Sequence, residues 1–300
     1  MQAGDRPISQ VPAVAARSEA TPDATVTTTP DATPTSGRAF PSRHVLGMRV
    51  DASTYVTAAE RIVSWASPAE VEPGAATRLR PRYVCVANVH MTMEAFDDPS
   101  FRDIVNRADL VTSDGMPLVW MLKRLGLRQA ERVYGPTLTL HVCEAAAEAG
   151  VPVGFYGGAP EAVEGLKAAL ARRFPDLDVR YAYSPPFRPL TEEEDDRIVA
   201  DIMSSGTRIL FVGLGCPKQE RWMAAHAQRL PLVQLGVGAA FDFHAGRVRQ
   251  APAWMQDRGL EWLFRLAAEP RRLWRRYLVH NPRFVFFAGL QLLGIGSNRD

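Results

Sequence analysis

The chain has 300 residues, 46% of them hydrophobic, and carries 35 Lys and Arg against 33 Asp and Glu, a formal net charge of +2. That length admits one large domain or two small ones. Its three cysteines, Cys85, Cys143 and Cys216, are odd in number and form no C-x-x-C, which points to a reducing compartment and argues against a structural zinc site built on cysteine.

Residues 1–43 are rich in Ala, Thr and Pro, with four Arg balanced by three Asp and one Glu. Such a segment buries too little apolar surface to offset the entropy of ordering it, so it is expected as a disordered leader. It lacks the apolar core of a signal peptide. From His44 onward, short apolar runs alternate with helical periodicity. Tyr83–Val86 reads as a strand, and a helix follows from about Met91. Leu110–Thr112 is a short strand ending at Ser113-Asp114-Gly115, and Pro117–Leu125 reads as a helix. Thr137–Ala149 is a helix stopped by Gly150, Val151–Tyr156 a strand ending in Gly157-Gly158, and Pro160–Arg173 the next helix. Val179–Tyr183 is a strand. Thr191–Ser204 is a helix with Thr191 as its cap and Glu194 at the capping-box position. Arg208–Val212 and Leu232–Val237 are the last strands. This β-α repetition predicts an α/β fold over residues 44–246: a mostly parallel, Rossmann-like sheet with helices on both faces.

After Gly246 no strand-like run remains. Leu260–Ala268, Arg271–Val279 and Phe284–Leu293 read as helices punctuated by Pro270 and Pro282, so residues 247–300 are expected as a helical appendage. Residues 244–300 hold ten Arg and no Lys against two Asp and two Glu, a balance of +6, which leaves −4 for residues 44–243. Phe284–Ile295 is very apolar but too short to cross a bilayer. Arg271, Arg272, Arg275 and Arg276 precede it, with Trp274 and Tyr277 among them. Arginine clusters beside apolar, aromatic-bearing helices suit an anionic lipid surface; the alternative is a buried terminal helix next to a solvated basic one. No nucleic-acid-binding motif accompanies the arginines.

The most informative segment is Ile209–Glu220, ILFVGLGCPKQE. It runs from an apolar strand through a turn at Gly213 and Gly215 into an amphipathic stretch holding Gln219 and Glu220, with Pro217 suited to the first helical position. Free N–H groups at such a turn bind phosphate, although any α/β protein has strand-to-helix turns. The glycines fit neither G-x-G-x-x-G, since the sixth place is Lys218, nor a P-loop, so neither NAD binding nor ATP hydrolysis is indicated. Asp114 sits at a strand end, as a general base or a helix cap; Ser113 beside it offers the cap, which leaves Asp114 for chemistry. Arg132, before the turn at Gly135, is placed to neutralise a phosphate or to form a surface ion pair. Asp242, between Phe241 and Phe243, is either a functional carboxylate or a structural partner for an arginine. His90 and His244 read as loop residues with no partner at metal-ligand spacing, so no metal site and no cofactor are expected.

Read in order, Asn88, Ser113-Asp114-Gly115, Arg132-Val133-Tyr134-Gly135, Gly157-Gly158, Gly213-Leu214-Gly215-Cys216-Pro217-Lys218-Gln219-Glu220, Gly236-Val237-Gly238 with Phe241-Asp242, and Gly259-Leu260-Glu261-Trp262-Leu263-Phe264-Arg265 resemble the WecG/TagA/CpsF glycosyltransferases. The resemblance runs from about His44 to Pro282. It implies an inverting, metal-independent enzyme that moves a hexose of N-acetylmannosamine, glucose or glucuronate type. The donor would be a UDP-sugar and the acceptor an undecaprenyl-diphosphate-linked saccharide, at the inner face of the bacterial cytoplasmic membrane. Members build teichoic acid linkage units, enterobacterial common antigen and exopolysaccharides. By the same resemblance Asp114 is the catalytic base and Arg132 an active-site arginine. Asn88, Gly157, Gly213, Gly215, Gln219, Glu220 and Asp242 belong to the substrate pocket, and Arg265, Arg272 and Arg276 to an appendage that meets the membrane and closes over the site. A homo-oligomer is possible under this reading, and nucleic acid is not a partner. Two positions depart from the common pattern: Val86 stands where many members have Thr, and Thr137 where many have Asp. The residues alone leave open a non-catalytic, nucleotide-binding scaffold at a membrane surface, which would have no use for Asp114.

Overall fold

The computed structural model describes residues 40–67 and 79–295. The leader expected over residues 1–43 lies outside them up to residue 39. The described chain opens with a hairpin that sequence patterning does not reveal, strands β1 (Ser42–Val45) and β2 (Met48–Asp51), paired antiparallel. Its two turn residues, Leu46 and Gly47, both have positive φ (53° and 82°), as a tight hairpin requires. Leu in the first of these places is what hides the turn, since Asn or Asp is the usual signal there. The hairpin is fastened to the body by a buried ion pair. Arg49 and Asp51 lie 3.1 Å apart, the Arg49 guanidinium donates to the Asn106 and Ala108 carbonyls, and Asp51 accepts the Val111 N–H at 2.7 Å.

The remaining strands are β3 (Arg82–Ala87), β4 (Leu110–Ser113), β5 (Val153–Gly157), β6 (Val179–Tyr183), β7 (Ile209–Gly213) and β8 (Val233–Gly236). They form one sheet in the order β4-β3-β8-β7-β5-β6, with every neighbouring pair parallel. Helices α1 (Tyr55–Ala66), α5 (Gly135–Glu148), α6 (Pro160–Arg173) and α9 (Ala240–His244) supply the apolar cluster on one face of this sheet. Helices α2 (Val89–Asp97), α3 (Pro99–Arg107), α4 (Met116–Arg124), α7 (Glu192–Ser205) and α8 (Lys218–His226) supply the other. Successive strand residues point to opposite clusters: Val84 and Val86 to the first, Cys85 and Ala87 to the second. A sheet covered on both sides therefore reads as a continuous apolar run instead of an alternating one. The capping box expected at Thr191 forms, with the Glu194 N–H donating to Thr191 Oγ1 at 3.2 Å and the Thr191 N–H to Glu194 Oε2 at 3.0 Å. Helices α1 and α3 were not anticipated.

Three helices follow the sheet: α10 (Ala253–Asp257), α11 (Glu261–Ala268) and α12 (Pro270–Leu292). Two helices were expected where α12 runs unbroken through Pro282. A proline removes one helical hydrogen bond, and tertiary packing outweighs that loss. Phe284 and Ala288 are buried against α2, Phe287 lies 4.6 Å from Phe96, and Arg283 forms a bidentate pair with Asp97 at 2.6 and 2.8 Å. Gln291 then bonds the hairpin at the His44 carbonyl and the Leu46 N–H. The opposite side of α12 exposes Trp274, Leu278, Val285, Phe286 and Leu292. The helix thus combines the two alternatives posed by its sequence, one face buried and one apolar face open. No helix among the described residues is long and apolar enough to cross a membrane.

Candidate active site

The loops after the parallel strands all leave the same edge of the sheet, where open α/β sheets hold ligands. Two cavities lie there. The first, of about 100 Å³, is walled by Asn88, Asp114, Arg132 and Tyr134 from the α/β body and by Glu261, Arg265, Arg276 and Asn281 from α11 and α12. Asn88 and Asp114 arrive on neighbouring strands, since Ala87 pairs with Ser113 in the sheet. Register alone thus places the residues that follow them side by side.

Asp114 has no structural duty that uses its carboxyl group. Gly115 caps α4 without any side-chain bond, and the Ser113 hydroxyl donates instead to the Glu131 carbonyl at 2.7 Å. The backbone of Asp114 is held on both sides: its N–H donates to Ala87 O at 2.8 Å, and its carbonyl accepts from Arg132 Nε at 2.6 Å. The carboxyl group is left facing the cavity, with Arg132 Nη2 3.7 Å from its Oδ1. Burial pushes its pKa up to about 6, Arg132 opposing the rise and Glu261 adding to it.

Arg132 is not the surface ion pair its sequence allowed. It is largely buried, bonded to Glu261 Oε2 through Nη2, and lies 4.4 Å from the Tyr134 ring. With Glu261 so engaged, Arg265 and Arg276 hold the unspent positive charge of the cavity. Both guanidinium groups have a buried Nε with no hydrogen-bond partner among the described residues. Arg265 packs over Phe243 at 5.5 Å, and Arg276 makes one long contact, 3.4 Å, to Asn88 Oδ1. That Asn88 oxygen also caps α2 by accepting the Met91 N–H at 3.2 Å. Arg271 and Arg275 are exposed. The expected arginine cluster is therefore divided by helix geometry between cavity and solvent, and the side chain of Arg272 lies outside the described residues.

The second cavity, about 450 Å³, is lined by Tyr156, Gly158, Gly213, Lys218 and Trp222 and by the Pro185–Leu190 loop. Gly157 and Gly213 allow the loops after β5 and β7 to touch. A Cβ on Gly157 (φ +116°) would stand 2.7 Å from the Gly213 backbone. Gly157 and Gly215 are not in its wall. Helix α8 starts at Lys218, so Pro217 precedes the first turn instead of opening it. Gln219 and Glu220, expected to meet substrate, are turned inward. Gln219 Oε1 accepts the N–H groups of both Gly215 and Gly238 at 3.1 Å, and its amide nitrogen donates to Glu220. Burial pushes the Glu220 carboxyl up to about 7. These two residues tie the β7 and β8 turns together and do not line either cavity. Asp242 lies apart from both, 3.5 Å from Arg247 Nε.

Glu261 and Tyr134 lie within the family-like motifs, but their place in the cavity is visible only in the structure. Glu261 is one of two Glu among the ten Arg of residues 244–300, which is the one trace of its importance in the sequence. Asn281 and the Pro185–Leu190 loop gave no signal. His90 and His244, read as loop residues, lie in α2 and α9. His244 Nε2 sits 2.8 Å from the Pro136 carbonyl. His90, contrary to expectation, does have partners at metal-ligand spacing, Glu94 on α2 and His280 on α12.

The chain is similar to the N-acetylglucosaminyldiphosphoundecaprenol N-acetyl-beta-D-mannosaminyltransferase of Bacillus spizizenii, 30% identical over 205 residues that make up 68% of this chain and 77% of that protein. Residues 43–297 match the Glycosyl transferase WecG/TagA/CpsF family, a span that takes in the parallel sheet, both cavities and the helices that close the first. The protein therefore belongs to the WecG/TagA/CpsF family and is a glycosyltransferase.

Proposed function

We propose that the protein transfers a hexose, with inversion, from a UDP-sugar to a hydroxyl of a polyprenyl-diphosphate-linked saccharide at the inner face of the cytoplasmic membrane. The observation that carries this reading is the largely buried Asp114 carboxyl facing a cavity whose other wall holds Arg265 and Arg276. A sugar hydroxyl is a weak acid, so its proton must be taken as it attacks. Asp114 accepts that proton. The new C1–O bond forms as the bond from C1 to the diphosphate oxygen breaks on the opposite face, and UDP leaves with an added negative charge. Arg265 and Arg276, already half-buried in the cavity wall, stabilise that charge. Their orphaned Nε–H groups are donors with no other use. Arg132, anchored by Glu261, holds the Asp114 backbone in place and favours its ionised form. No step requires a metal ion. The larger cavity, with Lys218 and the aromatic faces of Tyr156 and Trp222, suits the nucleotide end of the donor.

The acceptor class is supported by the similar Bacillus protein, whose name specifies a diphosphoundecaprenol substrate. Exposed Trp254, Trp274, Val285 and Phe286, with Arg271 and Arg275 exposed beside them, suit contact with an anionic bilayer holding such a lipid. The test is UDP release by purified protein over a panel of UDP-sugars, with and without a short polyprenyl-diphosphate-sugar and with and without EDTA. Acceptor-dependent release that persists in EDTA is expected. Tight UDP binding with no release, in the presence of a natural membrane lipid extract, favours a non-catalytic scaffold instead.

A further inference from the structure

Helix α12 meets α2 at a second polar junction, beside the cavity and next to Arg276. His90 and Glu94 are four residues apart on α2 and share one face; His280 comes from α12. One ring nitrogen of each histidine and one Glu94 oxygen all lie within 4.8 Å of one another. The two imidazoles meet edge to face, centroids 5.1 Å apart, and His90 Nδ1 is 3.6 Å from Glu94 Oε1. Two ligands each about 2.1 Å from a tetrahedral ion stand about 3.4 Å apart.

The protein alone serves these polar atoms poorly. Nδ1 of His90 and Nδ1 of His280 are both buried without a hydrogen-bond partner among the described residues, an arrangement folded proteins avoid. The other nitrogen of His90 faces the Cys216 carbonyl. If that nitrogen carries the proton, the Nδ1 lone pair points at a carboxylate. If Nδ1 carries it, a lone pair points at the carbonyl. A cation on Nδ1 resolves the conflict. A carbonyl on one imidazole nitrogen, with the other nitrogen free, is the arrangement that orients a metal-bound histidine and sets its tautomer.

We propose that His90, Glu94 and His280 form a site for a first-row divalent metal of the zinc type, which braces α12 against the α/β body beside the Arg283–Asp97 pair and the Phe96–Phe287 contact that already hold it there. Two neutral imidazoles and a carboxylate match that class of ion. Three protein ligands leave one position for water, and His90 also lies in the cavity wall. The charges around the site are Glu94 and Asp97 on α2, and Arg276 and Arg283 on α12. Asp97 pairs with Arg283, which leaves Glu94 to offset Arg276. The ion is separate from the groups that handle the transferred proton and the leaving diphosphate.

The test uses the full chain, stripped with a chelator, dialysed, and titrated with Zn²⁺ alone and with Co²⁺ alone. A single class of site is expected, with a visible ligand-field band from cobalt and a rise in melting temperature with zinc. His280→Ala lowers zinc affinity by at least about 100-fold, the upper end of what even outer-shell partners contribute, and removes the cobalt band. Glu94→Gln, nearly the same shape and partly exposed, lowers it by about tenfold or more and serves if the histidine variant does not fold. His141→Ala, which removes an imidazole stacked on Tyr55, leaves both signals intact. Absence of binding by the parent chain overturns the site. Binding that survives both His280→Ala and Glu94→Gln reduces it to an adventitious ion only.

Discussion

The α/β body and the C-terminal helices solve opposite problems with the same amino acids. In the body, Val84, Phe155, Phe211 and Leu235 are buried in the sheet and ion pairs such as Arg188–Glu194 lie outside. In α11 and α12, Leu263, Trp274, Val285 and Phe286 face outward, while the half-buried Arg265 and Arg276 line the cavity wall. Burial of a guanidinium is costly unless an anion meets it, and exposure of a broad apolar face marks a surface that is covered in use. Under the proposed function, the inversion teaches that the body's task is to fold and to place one carboxyl group. Under the same proposal, the helices present charge to a substrate on one side and apolar surface to a lipid phase on the other.

The sharpest way to break this division is to remove the body's one chemical group. Asp114→Asn is expected to lower the transfer rate by about 10²–10⁴-fold while circular dichroism stays that of the parent and the melting temperature does not fall. Near-normal turnover would remove Asp114 from the mechanism and leave the scaffold reading. Next in size, Arg276→Ala is expected to cost about 10²–10³-fold in kcat and Arg275→Ala little, because only Arg276 reaches the cavity although the two are adjacent in sequence. Equal losses in steady-state kinetics would mean that bulk charge, not placement, matters.

A second pair of neighbours separates the two faces of α12. Phe284 is buried and Phe286 is mostly exposed. Phe284→Ala is expected to destabilise the fold by about 3–5 kcal/mol, whereas Phe286→Ala changes stability by within about 0.5 kcal/mol. In cosedimentation with anionic vesicles, Phe286→Ala combined with Trp274→Ala weakens binding. Undiminished binding would remove the membrane from the account of that face.

The smallest expected effect is in pH. Asp114 must be ionised to act, and its pKa is held near 6, so the rate should fall about tenfold per pH unit below that value and level off above it. The linkage runs the other way. A folded-state pKa above the roughly 3.9 of an unfolded aspartate means the folded protein binds the proton more tightly. The stability this contributes is present at low pH and is lost as pH rises from about 4 through about 6. Asp114→Asn should therefore flatten the chemical denaturation midpoint across that window; an unaltered pH slope would show that the raised pKa belongs to another group.

Several of these features were legible without a structure. The alternation of apolar runs with helical periodicity specifies a two-face-covered parallel sheet, because a strand buried on both sides must be apolar throughout. The Thr191–Glu194 cap was readable because its two bonds span three residues. Asp114 stood out because it ends a strand beside a serine and a glycine, although only the structure excludes Ser113 and Asp114 as caps. Gln219 and Glu220 are less legible for the same local reason: a polar pair after a glycine turn looks the same whether it faces ligand or, as Gln219 does here, satisfies two backbone N–H groups of neighbouring turns.

What the sequence determined by itself was everything carried by short-range pattern and by the motifs of the family: the fold class, the strand-end loops and the residue types at the reacting centre. What only the tertiary structure decided were the long-range pairings. These are the 129-residue step from Arg132 to Glu261, the selection of Arg276 over Arg275, the unbroken run of α12 through Pro282, and the meeting of His90 with His280. Periodicity reports which face of an element is buried. It does not report what that face is buried against, because that depends on the packing of elements far apart in the chain.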